Sequence, residues 1–461
     1  MSGVEVLASA TRSTPWEGRL WLVGGYVRDA LLGLPLPEDV DIVLETDALE
    51  LANYLYEHRI SRIAPVTYPR FGTALVIIGG SKVELATARR ESYPRESRKP
   101  FVEPATLRED ALRRDFTINA ILKNLHTEEV CDILGMGLQD LDQRLLRTPQ
   151  EPAKTFSEDP LRMLRAVRFR HRFGLKPVSG LWGAIRSETQ RLSIISMERI
   201  RDEFTKMLCQ ESAAAAMQDL LDLGLLELFA PELAAMQGVE QGGYHEKDVW
   251  EHSMEVLDNA ARLDIGDEQE RLRITLAALL HDVGKPGTKT TDESGRARFF
   301  GHERVGAEIA DTVLRRLRFP LSVSRDVVAL VRNHMRLGSM PVFTPAAARR
   351  LKRDMADATD TLLTLCECDA RAVGRIEKGI DFESIRALLA QVEVETQDRG
   401  FQSPLTGEEI MEVAQIESGP EVGRLKSLLV EAVLDGRIPA GDKAAAKSLL
   451  LDVMHKKPPN G

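Results

Sequence analysis

The stretch Leu22-Val23-Gly24-Gly25-Tyr26-Val27-Arg28-Asp29-Ala30-Leu31-Leu32-Gly33, followed by Glu38-Asp39-Val40-Asp41-Ile42-Val43-Leu44, decides the fold. Its first part reads as an apolar strand, a Gly-Gly turn and the start of a helix. Glycines there let backbone N–H groups approach a phosphate closely, and the helix N-terminus adds partial positive charge. The second part sets Asp39 and Asp41 two residues apart at the head of an apolar strand, where the period of two sends both carboxylates to one face. Two carboxylates on one face suit Mg²⁺ ions carrying a nucleoside triphosphate. Taken singly, Gly-Gly is most often a plain turn and D-x-D a solvated loop. Their order and tight spacing point instead to nucleotidyl transfer.

Outward from this stretch, residues 20 to about 135 alternate short apolar runs with helical stretches. Leu20–Val23, Val40–Leu44, Ala74–Ile78 and Lys82–Ala86 read as strands, and Asp47–His58 and Leu112–Leu122 as helices. A loop rich in Arg, Glu, Ser and Pro, about Arg89 to Glu109, interrupts this small α/β module at a length usual for functional loops. From about Thr148 the pattern is helical. Boundaries fall at Pro149 and Pro152, within Pro231–Gly243, and near Gln397–Thr406, and Lys456–Gly461 reads as a frayed tail.

A chain of 461 residues is too long for one core. Its net charge of −10 excludes a whole-surface nucleic-acid binder and leaves room for a local basic groove. The clusters Arg113–Arg114, Arg162 to Arg172 and Arg349 to Arg353 are candidates, with solvated helix faces as the plain alternative. No apolar run reaches the roughly 18 residues of a membrane span, and Met1–Pro15 has no charged-then-apolar pattern. A cytoplasmic protein without membrane contact is expected. Four cysteines, among them the lone C-x-C pair Cys366 and Cys368, argue against a disulfide scaffold or a zinc site.

Further along, Arg113-Arg114-Asp115-Phe116-Thr117-Ile118-Asn119 places two arginines at a helix start, suited to clamping phosphates. Glu158-Asp159-Pro160-Leu161-Arg162-Met163-Leu164-Arg165 opens another helix with Asp159, Arg162 and Arg165 three apart on one face. Asp before Pro is also what a helix cap looks like, and sequence physics alone favours that reading. Glu84 reads as a solvent-facing strand residue, with a third metal carboxylate as the alternative. Five of the nine histidines fall between residues 245 and 334. His281-Asp282 follows an apolar helix, with His252 upstream and His302, His334 and Asp369 downstream. Imidazole and carboxylate ligands on separate helices suit Mn²⁺, Fe, Ni²⁺ or Zn²⁺, whereas a lone histidine is more often a satisfied helix residue.

With these motifs in order from Leu22 to Phe204, the chain resembles bacterial tRNA nucleotidyltransferases, the CCA-adding enzymes of the class II branch of the polymerase-beta superfamily. The resemblance implies an α+β chain: a small mixed-sheet head (1–145), a helical neck (146–210), an HD-type helical body (211–395) and a helical tail (396–461). It implies that Asp39 and Asp41 hold Mg²⁺ and that Gly24, Gly25 and Arg28 contact phosphates. Arg114, Asp115 and Asn119 would position sugar and phosphates. Asp159 and Arg162, with Arg165 on the same face, would read the base edges of CTP and ATP. The histidine set resembles HD phosphohydrolases, with His252, His281, Asp282 and Asp369 as ligands and His302 and His334 as those of a second metal. Implied partners are the tRNA 3′ end and its acceptor and T-arm, the latter gripped by a tail that includes Thr406–Ile410 and Gly419–Arg424. Implied RNA substrates of the body are 2′,3′-cyclic phosphates or 2′-phosphates, with a plain helical scaffold as the alternative. Enzymes adding only CC or only A share these motifs. Poly(A) polymerase, and an HD phosphohydrolase with a non-catalytic head, are the remaining alternatives.

Overall fold

The computed structural model describes residues 2–92, 101–242, 247–338, 343–373, 381–396 and 402–455. They form two compact units, Met1–Ala234 with Arg316–Arg318, and Ala235–Arg315 with Phe319–Gly461. The chain is α+β, with the large sheet confined to the first unit. No helix among the described residues is long and apolar enough to cross a membrane.

The first unit is built on a seven-stranded mixed sheet. Its strands are β1 (Trp21–Val23), β2 (Asp39–Leu44), β3 (Val66–Tyr68), β4 (Thr73–Ile78) and β5 (Ser81–Thr87). A separate hairpin of β6 (Arg89–Ser92) and β7 (Phe101–Pro104) follows, and β8 (Leu122–Asn124) and β9 (Val130–Cys131) complete the sheet. The order is β3-β4-β5-β2-β1-β8-β9, with β2 antiparallel to β1 and parallel to β5. Val40, Ile42, Val43 and Leu44 are buried while Asp39 and Asp41 face outward. The Ala48–Glu57 helix, capped by Asp47, lays Leu51, Ala52 and Leu55 into the core.

Two features differ from the sequence reading. The segment Leu112–Leu122 is not one helix. A capping box between Thr106 and Glu109 starts a helix at Leu107 that ends at Leu112. Extended backbone at Phe116, a short 3-10 turn (Thr117–Asn119) and β8 follow. Arg113 and Arg114 therefore stand at a helix end rather than a start. The Arg349–Arg353 cluster is consumed by ion pairs and is not an open basic face. Arg350 meets Glu431 (3.0 Å) and Asp435 (2.5 Å), Lys352 meets Glu393 (2.7 Å), and Arg353 meets Asp354 (2.8 Å). Of the interrupting loop, residues 93–100 lie outside the described residues, as do 243 in the Pro231–Gly243 boundary, 397–401 in the boundary at Gln397–Thr406, and the tail residues 456–461.

Beyond the sheet, Leu161–Phe173 is the central neck helix, packed on Met197–Leu208 and Ala213–Asp222. The second unit gathers the helices Val249–Ala261, Glu268–Leu280, His302–Arg316, Leu321–Asn333 and Thr359–Ala372. Its last three helices, Gly407–Ala414, Pro420–Leu434 and Lys443–His455, enclose their own core of Leu405, Ile410, Leu425 and Leu429.

The turn His281-Asp282-Val283-Gly284-Lys285 touches the start of the helix at His302 without any intervening side chain. A Cβ on Gly284 would lie 2.2 Å from the His302 carbonyl oxygen and 2.5 Å from the Gly306 nitrogen. Gly284→Ala should therefore force the helix away and destabilise the second unit by about 2 kcal/mol or more, the range of overpacked cores. Calorimetry should show the unfolding transition that includes the second unit moved to lower temperature. A wild-type thermogram would show that the contact relaxes freely.

Candidate functional site

The head site follows from strand register. Asp41 pairs with Val23 on β1 and with Glu84 on β5, and Asp39 with Lys82. Glu84 is exposed on its strand, as the sequence predicts, and because cross-strand partners share a face it also stands beside Asp41 as a third carboxylate. Gly24 comes directly after Val23 with φ +73° and ψ −137°, a conformation costly for any other residue. A Cβ there would lie 3.0 Å from Asp41 Oδ2 and 4.0 Å from an Arg114 nitrogen. Gly24 thus meets two requirements at once, backbone and space. Asp41 keeps solvent at its tip, yet crowding by protein and the nearby Glu84 and Asp39 charges push its carboxyl up to about 6, against the Arg114 guanidinium. Crowded oxygens of like charge are the donor set that a hard divalent cation fits.

Behind this face runs a continuous chain of charged side chains. Arg28 is buried (4% exposed). It donates to Asp29 (2.7 Å) and to Asn119 (2.6 Å), and its guanidinium lies 4.3 Å from the Phe173 ring centroid. Asn119 donates to Asp115 Oδ1 (2.9 Å), which also accepts from the Phe116 amide (2.8 Å). Asp115 Oδ2 accepts two bonds from Arg165, at 2.9 and 2.6 Å. Glu203 meets Arg165 at 3.6 Å and Arg168 at 2.6 Å. Arg114 and Arg113 both grip the buried Asp110, and Arg113 also reaches Glu91 in the β6–β7 hairpin (3.0 Å).

Arg162 is buried as well, donating to the carbonyl oxygens of Arg113 (2.5 Å) and Thr155 (3.4 Å). Asp159 does two things. One oxygen accepts from the Leu161 amide at 3.2 Å, as a cap would, and the other meets Arg199 at 3.3 Å. Glu203 and Arg199, both in the Met197–Leu208 helix, are not among the expected site residues. Only their partners across the fold single them out.

In the second unit, all six expected ligands converge, and Asp282 is at the centre. Its Oδ2 lies 3.2 Å from His281 Nε2 and 3.5 Å from His252 Nε2, while its Oδ1 lies 3.3 Å from His302 Nε2 and 3.8 Å from His334 Nε2. Asp369 approaches His252 at 3.1 Å. His281, His302 and His334 each direct Nδ1 at the carbonyl three residues earlier, at 2.7–2.8 Å. A carbonyl only accepts, so Nδ1 carries a proton, and each ring in its neutral form aims an Nε2 lone pair inward. Lone pairs and carboxylate oxygens then face one another in a buried space, with Asp282 Oδ2 lacking a hydrogen-bond partner although Lys285 Nζ lies 2.6 Å away. His252, His281 and Asp282 form one group with metal-binding geometry, and Asp282, His302 and His334 another. Nitrogen and oxygen donors together fit a borderline transition metal. Burial works against the Asp282 charge, but His281 and Lys285 outweigh it and hold the carboxyl well below its ordinary range. Burial, with His281 beside it, pushes His334 down to about 4. A cavity of about 650 Å³ opens over the cluster, with Lys285, Arg296 and Arg298 in its wall. Cys366 and Cys368 are buried in the Thr359–Ala372 helix, where burial raises both thiols.

A glycine turn over paired carboxylates, backed by a basic helix in the first unit, and a His/Asp cluster within the second unit define a nucleotidyltransferase fused to an HD-type domain. Residues 20–147 match the Poly A polymerase head domain family, 179–237 a probable RNA- and SrmB-binding site of polymerase A, and 249–373 the HD domain. The chain is 33% identical to the CC-adding tRNA nucleotidyltransferase of Thermus thermophilus, over 93% of this chain and 92% of that one. It is 35% identical to the A-adding tRNA nucleotidyltransferase of Deinococcus radiodurans (92% and 94%) and 32% to the multifunctional CCA protein of Acidovorax ebreus (90% and 96%). Its fold matches the crystal structure of the Bacillus stearothermophilus CCA-adding enzyme in complex with CTP, with TM-score 0.69 and 22% identity, over 98% of this chain and 97% of that one. The chain belongs to the tRNA nucleotidyltransferase family.

Asp115 offers a measurable handle on the head. Burial opposes its charge, but Arg165 and Asn119 outweigh it and hold the carboxyl at about 2, below its ordinary 3.8. A depressed carboxylate stabilises the fold fully above about pH 4 and loses that contribution as pH falls through about 2. The contribution at neutral pH is about 2 kcal/mol. Asp115→Asn should lower unfolding free energy by about that amount at pH 7 and flatten the acid limb of a urea-unfolding series. An unaltered acid limb would assign it to other carboxylates.

Proposed function

We propose that this enzyme adds CCA to tRNA 3′ ends from CTP and ATP without a nucleic-acid template. The carrying observation is Asp41 held under Gly24 between Glu84 and Arg114, with Asp115 and Arg165 bonded behind it. In this reading Asp39 and Asp41 hold Mg²⁺, with Glu84 adjoining. Bound Mg²⁺ lowers the pKa of the 3′-hydroxyl and offsets the triphosphate charge. Gly24 and Gly25 offer open backbone to the triphosphate, with Arg28 adding positive charge beneath the turn and Arg114 beside it. The 3′-oxygen forms a bond to the α-phosphorus, the bond to pyrophosphate breaks, and the hydroxyl proton passes to solvent. Asp115 and Asn119 orient Arg165 and Arg28, and through them the nucleotide's sugar and phosphates. Asp159, Arg162 and Arg165 supply a carboxylate acceptor and guanidinium donors for base edges.

The domain roles follow the same reading: head 1–145, neck 146–210, body 211–395 and tail 396–461, with the tail on the tRNA T-arm. The setting is the cytoplasm. A second reading of the head has a specific support. Two relatives that match more than nine-tenths of the chain are a CC-adding and an A-adding tRNA nucleotidyltransferase, so partial addition is the nearest alternative.

For the body, we propose metal-dependent hydrolysis of 2′,3′-cyclic phosphates or 2′-phosphates on RNA ends. His252, His281, Asp282 and Asp369 would hold one metal, and His302 and His334, with the second oxygen of Asp282, another. Mn²⁺, Ni²⁺, Fe or Zn²⁺ suits this donor set and would supply a Lewis acid and an activated water. Lys285 and Arg298 bring positive charge to the phosphate.

Labelled CTP and ATP offered to tRNA lacking CCA, ending in C, and ending in CC should give incorporation on all three. Incorporation of A alone, only on the CC-ended substrate, would replace full CCA addition with A addition, and incorporation of C alone with CC addition. In the same assay, Asp39→Ala with Asp41→Ala should reduce incorporation by more than 10³-fold, while hydrolysis of a nucleoside 2′,3′-cyclic phosphate persists. Retained incorporation would remove the head assignment.

A further inference from the structure

The cavity over the imidazole cluster has a wall that neither metal group uses. Just before His302 the chain forms a short antiparallel hairpin, Thr290–Thr291 against Ala297–Arg298. Asp292 locks it. Its carboxylate accepts from the Ser294 amide (3.0 Å), the Ser294 hydroxyl (2.6 Å), the Arg296 amide (3.0 Å) and Arg298 Nε (3.0 Å). The hairpin delivers Phe299 and Phe300 in succession to the cavity, with Arg296 on the same wall. Phe299 is tied inward: its carbonyl accepts from His302 Nδ1 at 2.8 Å, and its ring lies 5.6 Å from Lys285 Nζ.

Phe300 is placed differently. It is 82% exposed, more than any other large hydrophobic residue among those described. Water is a poor solvent for a phenyl ring, and this ring is held at the cavity wall two residues from a metal-group histidine. Aromatic faces in this setting stack on nucleobases, and a neighbouring guanidinium reads phosphate.

We infer that Phe300 is a base-stacking platform and that Arg296 receives the phosphate preceding the terminal nucleotide, so the body's cavity takes a ribonucleotide end rather than phosphate esters in general. This rests on the reading of the body as a phosphoester hydrolase. It adds a substrate-selecting wall to the ligand cluster. The stacked base would hold the terminal phosphate over Asp282 without either residue touching the bond that breaks. A free nucleotide and an RNA end share the base and the terminal phosphate. Only the RNA end has a preceding phosphate for Arg296.

The test uses the full chain loaded with Mn²⁺ and three substrates: adenosine 2′,3′-cyclic phosphate, a dinucleotide ending in a 2′,3′-cyclic phosphate, and glycerol 1,2-cyclic phosphate, which has no base. Phe300→Ala should raise KM about tenfold for the two base-bearing substrates, with kcat and the base-free reaction unaltered, and Phe300→Tyr should restore KM. Arg296→Ala should raise KM for the dinucleotide alone. Equal changes on all three substrates, or none, would overturn the platform. If wild type hydrolyses none of them, the hydrolase reading fails separately. Equilibrium binding of the dinucleotide to the same loaded proteins then decides: loss in Phe300→Ala with retention in Phe300→Tyr supports the platform, and equal binding overturns it. Nucleotide incorporation by each variant reports that the chain is folded.

Discussion

The buried carboxylate of Asp115 is the constraint on which the first unit depends. Both of its oxygens are used, one by the Phe116 amide and Asn119 and the other by Arg165. Removing one member of such a set strands a charge away from water. Asn119 passes the constraint to Arg28 under the glycine turn, and Arg165 passes it to Glu203 on a neighbouring neck helix. The rings of Phe116, Phe169 and Phe173 close around these groups, the first two edge to face at 5.4 Å. The head sheet and the Leu161–Phe173 helix are thereby set by one network, and the residues proposed to read a base share it with residues beneath the glycine turn.

The second unit uses a buried carboxylate to the opposite effect. Asp115 has donors on every side. Asp282 has imidazole lone pairs around it, fixed in that orientation by the Nδ1–carbonyl bonds of His281, His302 and His334. One arrangement is complete as it stands and serves to hold helices. The other turns ring nitrogens and carboxylate oxygens toward one space, with the Lys285 ammonium at 2.6 Å from one oxygen, so the two buried carboxylates differ in their partners rather than in their depth.

Much of the site was legible in the sequence because it obeys short periods. Alternation along β2 exposes Asp39 and Asp41, and His281-Asp282 follows an apolar helix. Glu84 was not legible, because its place beside Asp41 comes from strand pairing between residues far apart in sequence. The Leu112–Leu122 segment has helical periodicity, but Asp115 lies outside any helix and Asn119 in a short 3-10 turn, both held by partners across the fold. Glu203 looks like any charged helix residue until Arg168 is seen to face it. Gly284 carries no periodic signal at all, since its role is the absence of a side chain between two backbones.

Asp282 also has a consequence for how this body tolerates change. Two ligand groups draw on the two oxygens of one side chain, so they have a common part and no spare. Loss of a single imidazole would impair one group and leave the other's donors in place. Loss of Asp282 would disarm both together.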